Sequence, residues 1–222
     1  MDKLLITGYT SKIVEKLLLF IEQKDTNISI IKCGRDINAD IRVDFSCLEQ
    51  TRDFIDKVNN IAPKYIFLNH GLLPGKQLFD TPEETINESI QVNLVSVAMI
   101  IEALVTHENL RTVVMSSISG KAGSYDTLYA ACKAGVDVVL KKCATTMQKS
   151  SRINAVSPGI IIDAKMTTAR KDNDVLLKKK RLTPTQNFTT STEVAHLVYY
   201  LLFNCGNIHG ENINVNGGIF ID

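Results

Sequence analysis

Short apolar runs alternate along this chain with longer segments of helical periodicity. The runs lie at 3–6, 28–32, 65–68, 112–115, 153–157 and 213–215. The helical segments cover 12–22, 48–60, 83–106, 129–148 and 191–203. Buried strands that alternate with helices form a parallel sheet with helices on both of its faces. The pattern therefore predicts an α/β fold built on a doubly wound parallel sheet.

Composition limits the classes of protein to which the chain can belong. At 222 residues and 45% apolar content, it can bury one sizeable core. Its net charge of +1 sets up no strong field for nucleic acid or an anionic membrane. No basic leader precedes the first run, and no stretch approaches the roughly 18 apolar residues that a membrane span needs. We expect a single domain, residues 1–222, with a cytoplasmic location and neither nucleic acid nor membrane as a partner.

The five cysteines, at positions 33, 47, 132, 143 and 205, are scattered singly. They form no Cys-x-x-Cys pair, and no histidine stands at metal-ligand spacing from them. This pattern indicates reduced and mostly buried thiols, and it predicts no metal site.

Tyr129 and Lys133 stand one helical turn apart in the sequence Tyr-Ala-Ala-Cys-Lys. Residues four apart share a helix face, so a phenol and an ammonium would lie on the same side. A cation within a few ångströms stabilises a phenolate and lowers its pKa from about 10 toward neutral pH. The pair therefore predicts a group that exchanges a proton with a carbonyl or an alcohol.

Further polar residues stand where strands end or inside an apolar helix. They are Asn93 in a helical segment, Ser116 and Ser117 after one strand, and Pro158 and Gly159 after another. Parallel strands bring the loops at their carboxyl ends to one edge of the sheet, where ligands bind. We therefore expect these residues and Tyr129 to converge.

Taken in order, these residues resemble the classical short-chain dehydrogenase/reductase family. The matching positions run through nearly the whole chain and are Thr7-Gly8, Asn69-His70-Gly71, Asn93, Ser117, Tyr129, Lys133, Pro158-Gly159 and Asn216-Gly217-Gly218. The resemblance implies a Rossmann-like fold of about seven strands. It also implies an oxidoreductase that transfers hydride between a nicotinamide cofactor and a small carbonyl or secondary alcohol.

The resemblance assigns catalysis to Asn93, Ser117, Tyr129 and Lys133. Tyr129 would donate the proton, Ser117 would hold the substrate, and Lys133 would lower the phenol pKa and hydrogen-bond the nicotinamide ribose. Asn93 would hold, through its backbone, a water that joins Lys133 to solvent. The alternative for Asn93 is a side chain that bonds the adjacent turn.

The choice of active serine stays open. Relatives place this serine three residues before a glycine, here Gly120, which gives Ser117. The serine and the tyrosine are commonly one residue farther apart, which gives Ser116, and Ser119 is the third choice.

The resemblance places the cofactor's pyrophosphate at a glycine-rich turn after the first strand. The chain keeps Thr7 and Gly8 but has Lys12 and Val14 where the family has its second and third glycines. Lys12 would lie along the phosphates or face solvent on an amphipathic helix, and Val14 fits the apolar stripe of that helix. The implied cofactor contacts are Thr7, Gly8, Ser11, Lys12, Ile13, Arg35, Asp44, Asn69, Gly71, Tyr129, Lys133, Pro158, Gly159 and Ile161.

Arg35, directly after the second strand, favours NADP(H), although NAD(H) is possible. In the family, a guanidinium here clamps the ribose 2′-phosphate, whereas NAD-preferring relatives place an acid before it. Asp36 follows the arginine instead, and the alternative is a loop ion pair. Asp44 would bond the adenine amino group or cap a turn. His70 replaces an alanine and is expected at the surface or the core edge.

Residues 163–190 form the expected substrate lid, because the segment is too polar and irregular for the core. It opens with Asp163, an acid where relatives commonly have threonine near the pyrophosphate. The basic residues of the lid would meet an anionic substrate or form a solvated helix face. They are Arg170, Lys171, Lys178, Lys179, Lys180 and Arg181.

The leading function is an NADP-dependent oxidoreductase. One alternative is a non-catalytic scaffold or ligand sensor whose altered glycine turn binds dinucleotide poorly. Another is an interaction protein built on dimerising helices. In relatives, the helices that correspond to 83–106 and 129–148 pack into a four-helix interface, so the resemblance implies a homodimer or homotetramer.

Overall fold

Seven strands form one parallel sheet in the computed structural model, which describes residues 1–24, 27–168 and 172–221. The strands are β1 (Asp2–Thr7), β2 (Ile28–Gly34), β3 (Ile41–Arg42), β4 (Tyr65–Leu68), β5 (Arg111–Met115), β6 (Arg152–Pro158) and β7 (Asn212–Val215). They lie in the order β3-β2-β1-β4-β5-β6-β7. The predicted doubly wound sheet is confirmed.

Helices cover both faces of this sheet. They are α1 (Lys12–Gln23), α2 (Leu48–Ile61), α3 (Glu83–Ile90), α4 (Ser96–Ala103), α5 (Ser119–Ala122), α6 (Thr127–Ala144), α7 (Lys165–Thr168), α8 (Asn173–Leu182) and α9 (Ser191–Tyr199). The apolar side chains of α2, α4 and α6 pack on one face, and those of α1 and α9 pack on the other. The sheet therefore lies between two hydrophobic layers, as a fully buried parallel sheet requires.

One long helical run crosses the first of these layers. A π-helical turn, Gln91–Val95, joins α3 to α4, and a 3₁₀ turn, Leu104–Thr106, ends the run. Among the described residues, Glu83–Thr106 is the one helix long and apolar enough to cross a membrane, since its most apolar 18-residue window has a mean hydropathy of 1.7. The expectation that no stretch approaches this property was wrong. The helix is apolar because it packs in the core against α2 and α6.

Several boundaries differ from the sequence prediction. Strand β3 was missed because its two residues carry no periodicity. Helix α6 ends at Ala144 rather than at 148, since the hydroxyls of Thr145 and Thr146 donate to backbone carbonyls of the last turn. The expected lid is less irregular than predicted, because α7 and α8 lie within it. Arg170 and Lys171 lie outside the described residues.

The strand order reverses between β1 and β4. The chain runs outward from β1 to β3 and then returns to place β4 on the other side of β1. A crevice forms at the carboxyl ends of strands where such a reversal occurs, and ligands bind there. Strands β1, β4, β5 and β6 all carry candidate site residues at these ends.

All five cysteines are free, and four of them are buried, as the sequence predicted. The exception is the half-buried Cys47. Among the residues that the structure describes, no group of three or more His, Cys, Asp or Glu side chains is arranged to hold a metal ion.

Candidate active site

Helix α6 brings Tyr129 and Lys133 to the carboxyl edge of the sheet. The helix is fixed at its N-terminus by the buried Asp126, whose Oδ1 accepts a hydrogen bond from Tyr129 N at 2.9 Å. The other carboxylate oxygen accepts from Gly75 N at 2.9 Å and so joins the helix start to the loop after β4. One turn later, Lys133 Nζ lies 5.7 Å from the centroid of the Tyr129 ring. The predicted shared face is therefore observed.

Burial shifts the pKa values of these two groups in opposite directions. It raises the pKa of the Tyr129 phenol to about 12, although a hydrogen bond with Ser117 acts to lower that pKa. It lowers the pKa of Lys133 to about 8, against the opposing effect of Asp137. The phenol pKa is thus raised rather than lowered as the sequence led us to expect. The physical reason is that Lys133 Nζ donates to Met115 O at 2.8 Å while burial dominates at the phenol.

The serines after β5 have different partners. The buried Ser116 donates through Oγ to Asp137 Oδ1 at 2.6 Å, so its proton is already engaged within the protein. The Ser117 hydroxyl interacts with Tyr129 and also accepts from Ser119 N at 3.1 Å. The geometry favours Ser117 over Ser116 as the substrate-binding serine, and its role stays a prediction.

Asn93 lies in the π-helical turn and is fully buried. Its side chain clamps the loop after β4, because Oδ1 accepts from Leu72 N at 2.8 Å and Nδ2 donates to Leu72 O at 2.7 Å. Nδ2 also contacts Ser89 Oγ at 3.0 Å. This is the bonding to the adjacent turn that the sequence offered as the alternative. A water held by the Asn93 backbone stays a prediction.

The first βα turn is tied to the loop after β4 by hydrogen bonds. Asn69 Nδ2 donates to Gly8 O at 3.0 Å and to Ser11 Oγ at 2.8 Å, and Thr7 Oγ1 accepts from Asn69 N at 2.9 Å. Gly8 has a φ of +59°, and an added Cβ would lie 2.6 Å from Asn69 O, so glycine is required there. The turn is therefore rigid although two of the family's glycines are replaced.

Lys12 and Val14 occupy the positions of these missing glycines. Lys12 Nζ donates to both carboxylate oxygens of Glu15 at 2.9 Å, on the exposed side of α1. Val14 is fully buried in the α1/α9 layer. The contact of Lys12 agrees with the solvent-facing interpretation, and the phosphate role stays a prediction. Ser11 caps the helix and leaves the N–H groups of Lys12 and Ile13 without an intrahelical partner.

Beyond the carboxyl end of β2 lies an open cleft of about 460 Å³. It is lined by Arg35, Arg42, Val43, Asp44 and Gln50. The Arg35 guanidinium is 67% exposed and lies 3.8 Å from Glu88 Oε1, which is a loose ion pair. The ion pair with Asp36 that the sequence offered as an alternative is therefore not the one observed.

The two acids of this region are engaged within the protein. Asp36 Oδ1 accepts from Tyr9 Oη at 2.9 Å and from Asn38 N at 2.8 Å. Burial alone would raise the pKa of Asp44, but hydrogen bonds from Ser46 N and Oγ hold that pKa below its ordinary value. Asp44 therefore caps a turn, as one of its two interpretations predicted.

His70 is a core residue rather than a surface one. Its Nδ1 lies 2.7 Å from Thr7 Oγ1, its Nε2 lies 3.0 Å from Ser96 Oγ, and its ring stacks on Phe45 with centroids 3.9 Å apart. Burial, reinforced by the charge of Lys133, lowers its pKa to about 3. The ring is therefore neutral at physiological pH.

The loop after β6 completes the crevice. Pro158 ends the strand, and an added Cβ on Gly159 would lie 3.2 Å from Asn216 Cα, so the two loops are in close contact. Ile161 pairs with Thr189 in an isolated bridge. Asp163 Oδ1 accepts from Ser191 N at 2.8 Å, so this acid caps the start of α9.

Sequence reasoning missed three participants in this arrangement. Tyr9 covers Gly34 and reaches Asp36, Arg42 lines the cleft, and Asp137 lies one turn beyond Lys133 on α6. Only Asp137 had a usable signal, because its spacing of four from Lys133 continues the stripe of Tyr129.

The arrangement can be tested against the shape of a dinucleotide. An exposed guanidinium and an open cleft lie at one end, a helix N-terminus whose first N–H groups have no intrahelical partner lies in the middle, and a half-buried phenol beside a buried ammonium lies at the other end. Phosphates bind at helix N-termini and to arginine. The residues present fit such a group.

Comparison with known proteins gives a consistent result. Residues 21–219 match a family model described as enoyl-(acyl carrier protein) reductase. An uncharacterized oxidoreductase of Schizosaccharomyces pombe is 28% identical over 196 residues, which cover 84% of this chain and 70% of that protein. An L-rhamnose 1-dehydrogenase (NAD(P)(+)) of a Sphingomonas species is 25% identical over 198 residues, covering 82% and 76%.

Solved structures share the fold at low sequence identity. A short-chain dehydrogenase family protein of Francisella tularensis superposes with a TM-score of 0.84 at 22% identity, over 99% of this chain and 98% of that one. A short-chain dehydrogenase/reductase of Brucella melitensis gives 0.86 at 19% identity, over 100% and 97%. A variant of the actinorhodin polyketide ketoreductase with NADPH gives 0.80 at 19% identity, over 98% and 97%.

Proposed function

Since this chain belongs to the short-chain dehydrogenase/reductase family of oxidoreductases, we propose that it transfers a hydride between a nicotinamide dinucleotide and a small carbonyl or secondary alcohol, with Tyr129 exchanging the proton. The observation that carries this proposal is the convergence of Tyr129, Ser117 and Lys133 at the carboxyl edge of the sheet. A relative that is named for NAD(P)⁺-dependent oxidation of a sugar supports the cofactor class.

The chain's own residues would manage the proton. With a pKa of about 12, the Tyr129 phenol is protonated at neutral pH, which is the form that donates to a carbonyl oxygen. Ser117 would hold that oxygen by a second hydrogen bond, and the Lys133 ammonium would stabilise the phenolate as the proton leaves. When bound, the nicotinamide supplies or accepts the hydride.

The proposed cofactor contacts follow the crevice from end to end. Thr7, Gly8, Ser11, Lys12 and Ile13 would hold the pyrophosphate. Arg35, Asp44, Asn69 and Gly71 would hold the adenosine side, and Pro158, Gly159 and Ile161 would line the nicotinamide together with Tyr129 and Lys133.

We propose NADP(H) as the preferred form of the cofactor. Arg35 and Arg42 both line the cleft beyond β2, and two cations suit a ribose 2′-phosphate. Both acids of this region are engaged within the protein, since Asp36 accepts from Tyr9 and Asn38 through Oδ1, and Asp44, which lines the cleft, accepts from Ser46 N and Oγ.

Direct titration tests cofactor binding without any need for a substrate. NADPH and NADH would each be titrated into the purified protein and followed by nucleotide fluorescence. We expect NADPH to bind at least about tenfold more tightly, as a charge-assisted pair allows. Arg35→Ala should remove most of this difference, whereas Arg52→Ala, an exposed arginine on α2 outside the cleft, should keep it. Equal affinity of the wild type for both nucleotides would contradict the preference.

Tyr129→Phe tests the proposed chemistry. The variant should lose about two to four powers of ten in turnover of a carbonyl substrate, because it lacks the proton donor, while its NADPH affinity stays unchanged. The control is Tyr125→Phe, since Tyr125 is 67% exposed and lies just before α6. Turnover retained by Tyr129→Phe would refute the role of the phenol.

A non-catalytic ligand sensor is the second candidate. It is favoured by the pairing of Lys12 with Glu15 and by Val14 in place of a glycine. The same titration separates the two, because a protein that binds neither nucleotide at millimolar concentration cannot carry out the proposed nicotinamide-dependent reaction. Lys12→Ala addresses the phosphate role of Lys12, and an unchanged dissociation constant removes it.

A further inference from the structure

A carboxylate is buried directly behind the proton-transfer pair. Asp137 lies one turn beyond Lys133 on α6 and is 8% exposed. Tyr129, Lys133 and Asp137 follow one another at a spacing of four residues, so they form a single stripe on the inner face of the helix. The mechanism set out above makes no use of this third residue.

Two consecutive residues at the end of β5 hold the charged members of the stripe. Met115 O accepts from Lys133 Nζ at 2.8 Å, and Ser116 Oγ donates to Asp137 Oδ1 at 2.6 Å. Ser116 is itself fixed to the sheet, since its N–H donates to Val156 O at 2.8 Å. The ammonium and the carboxylate are therefore anchored to the same point of the fold.

The groups that face the two charges come from several elements. Asp137 faces Lys133 on its own helix, Ser116 after β5, Lys121 on α5 and Asn212 on β7. Lys133 faces Asp137 and Cys132 on α6, and its charge reaches His70 in the loop after β4. Asp137 is the one carboxylate among them that opposes the effect of burial on Lys133.

A buried ammonium without a counter-charge tends to lose its proton. Lys133 is 2% exposed, and burial has already brought its pKa from 10.5 to about 8. Removal of the Asp137 charge would take away the larger of the two contributions that oppose burial, the other being that of Cys132, and would lower the Lys133 pKa further. A neutral amine at Lys133 would not stabilise a phenolate.

We propose that Asp137 is a positioning residue whose carboxylate keeps Lys133 an ammonium at neutral pH and, through Ser116, fixes the strand end that orients it. The effect of Asp137 on catalysis rests on the proposed function. The electrostatic coupling of Asp137 to Lys133 is a property of the folded chain and can be measured without a substrate.

The test is an NMR titration of protein labelled with ¹³C at lysine Cε. The Lys133 resonance is assigned as the one missing from Lys133→Met. In Asp137→Asn, which keeps the shape of the side chain and removes its charge, the titration midpoint of Lys133 should fall by about one pH unit or more.

Three further variants serve as controls. Asp137→Glu keeps a carboxylate and should restore most of the fall in the midpoint. Ser116→Ala keeps the carboxylate and should move the midpoint by a smaller amount. Asp53→Asn, an exposed change on α2, should not move it.

A second readout is the pH profile of carbonyl reduction. The alkaline limb of kcat/KM should move to lower pH in Asp137→Asn by the same amount as the Lys133 midpoint, which loss of packing alone would not produce. An unchanged Lys133 midpoint in Asp137→Asn overturns the proposal. An altered midpoint in a protein that turns over no carbonyl supports the coupling and counts against the proposed function instead.

A further test uses the wild-type protein, so it does not require that any variant fold correctly. Burial raises the pKa of Asp137, whereas Ser116, Lys121 and Lys133 act to lower it, and the proposal requires that the ¹³C carboxyl resonance of Asp137 report an ionised group at pH 7. A protonated Asp137 at that pH would overturn the proposal, because a neutral acid supplies no counter-charge.

Discussion

At the scale of single residues, burial sets the protonation of the whole active-site cluster. It favours the neutral form of every group, so it raises the pKa of Tyr129 to about 12 and lowers that of Lys133 to about 8. Below about pH 8, the pair therefore consists of a protonated phenol and an ammonium. In the proposed reaction, this is the state from which Tyr129 would donate a proton to a carbonyl oxygen.

The buried His70 predicts a pH-dependent stability. Its folded-state pKa of about 3 lies below the ordinary 6.5, so the unfolded chain gains a proton that the folded chain lacks as pH falls through 6.5. Stability that is present above pH 6.5 is thus lost on acidification, by about 2 to 3 kcal/mol between pH 6.5 and 4.5. Urea unfolding at the two pH values should show this extra loss in the wild type relative to His70→Gln. Equal losses in both proteins would contradict it.

At the scale of elements, sequence periodicity correctly predicted the strands and helices that extend over many residues. Six strands and all the long helices of the two layers were found, and Thr190 and Glu193 form the predicted capping box before α9. The two-residue β3 and the π-helical turn at 91–95 depend on tertiary contacts, which local sequence does not encode. Such contacts include the bonds between Asn93 and the backbone of Leu72.

In the candidate site, too, the sequence predicted the relations that lie within one helix but not those that depend on the fold. Spacing alone placed Tyr129 and Lys133 on one face, because a helix fixes that relation. It left Ser116 and Ser117 unresolved, since only the fold shows that Asp137 engages the first of them. It also gave the wrong direction for the phenol pKa, because burial depends on elements distant in sequence.

The contact between α5 and α6 is close enough to predict the effect of one methyl group. A Cβ added at Gly120 would lie 2.8 Å from Ala134 N and 2.9 Å from Lys133 C. Gly120→Ala should therefore push the two helices apart, destabilise the fold by about 1 to 3 kcal/mol and lower turnover by moving Ser117 relative to Tyr129. Urea unfolding measures the first effect. Gly206→Ala, where an added Cβ meets nothing within 4 Å, is the control. Equal stability of the two variants would refute the packing argument.

At the scale of the whole molecule, the helical run Glu83–Thr106 is strongly apolar but only partly buried by its own chain. Its most apolar window is only 44% buried within the chain. On the neighbouring α6, Val138 is 68% exposed. Apolar surface gathered on one side of a protein commonly marks an interface. A second copy of the chain would bury this side, as the family resemblance also implies.

Sedimentation velocity tests this association. At micromolar concentration, the wild type should sediment as about twice the chain mass of 24.6 kDa, or a higher multiple. Val138→Asp should shift the population toward the monomer, because it places a charge in a desolvated contact that buries on the order of 800 Å² per partner. Leu19→Asp is the matched control, since Leu19 is 42% exposed on α1 in the opposite layer. A wild type that stays monomeric at that concentration would contradict the predicted association.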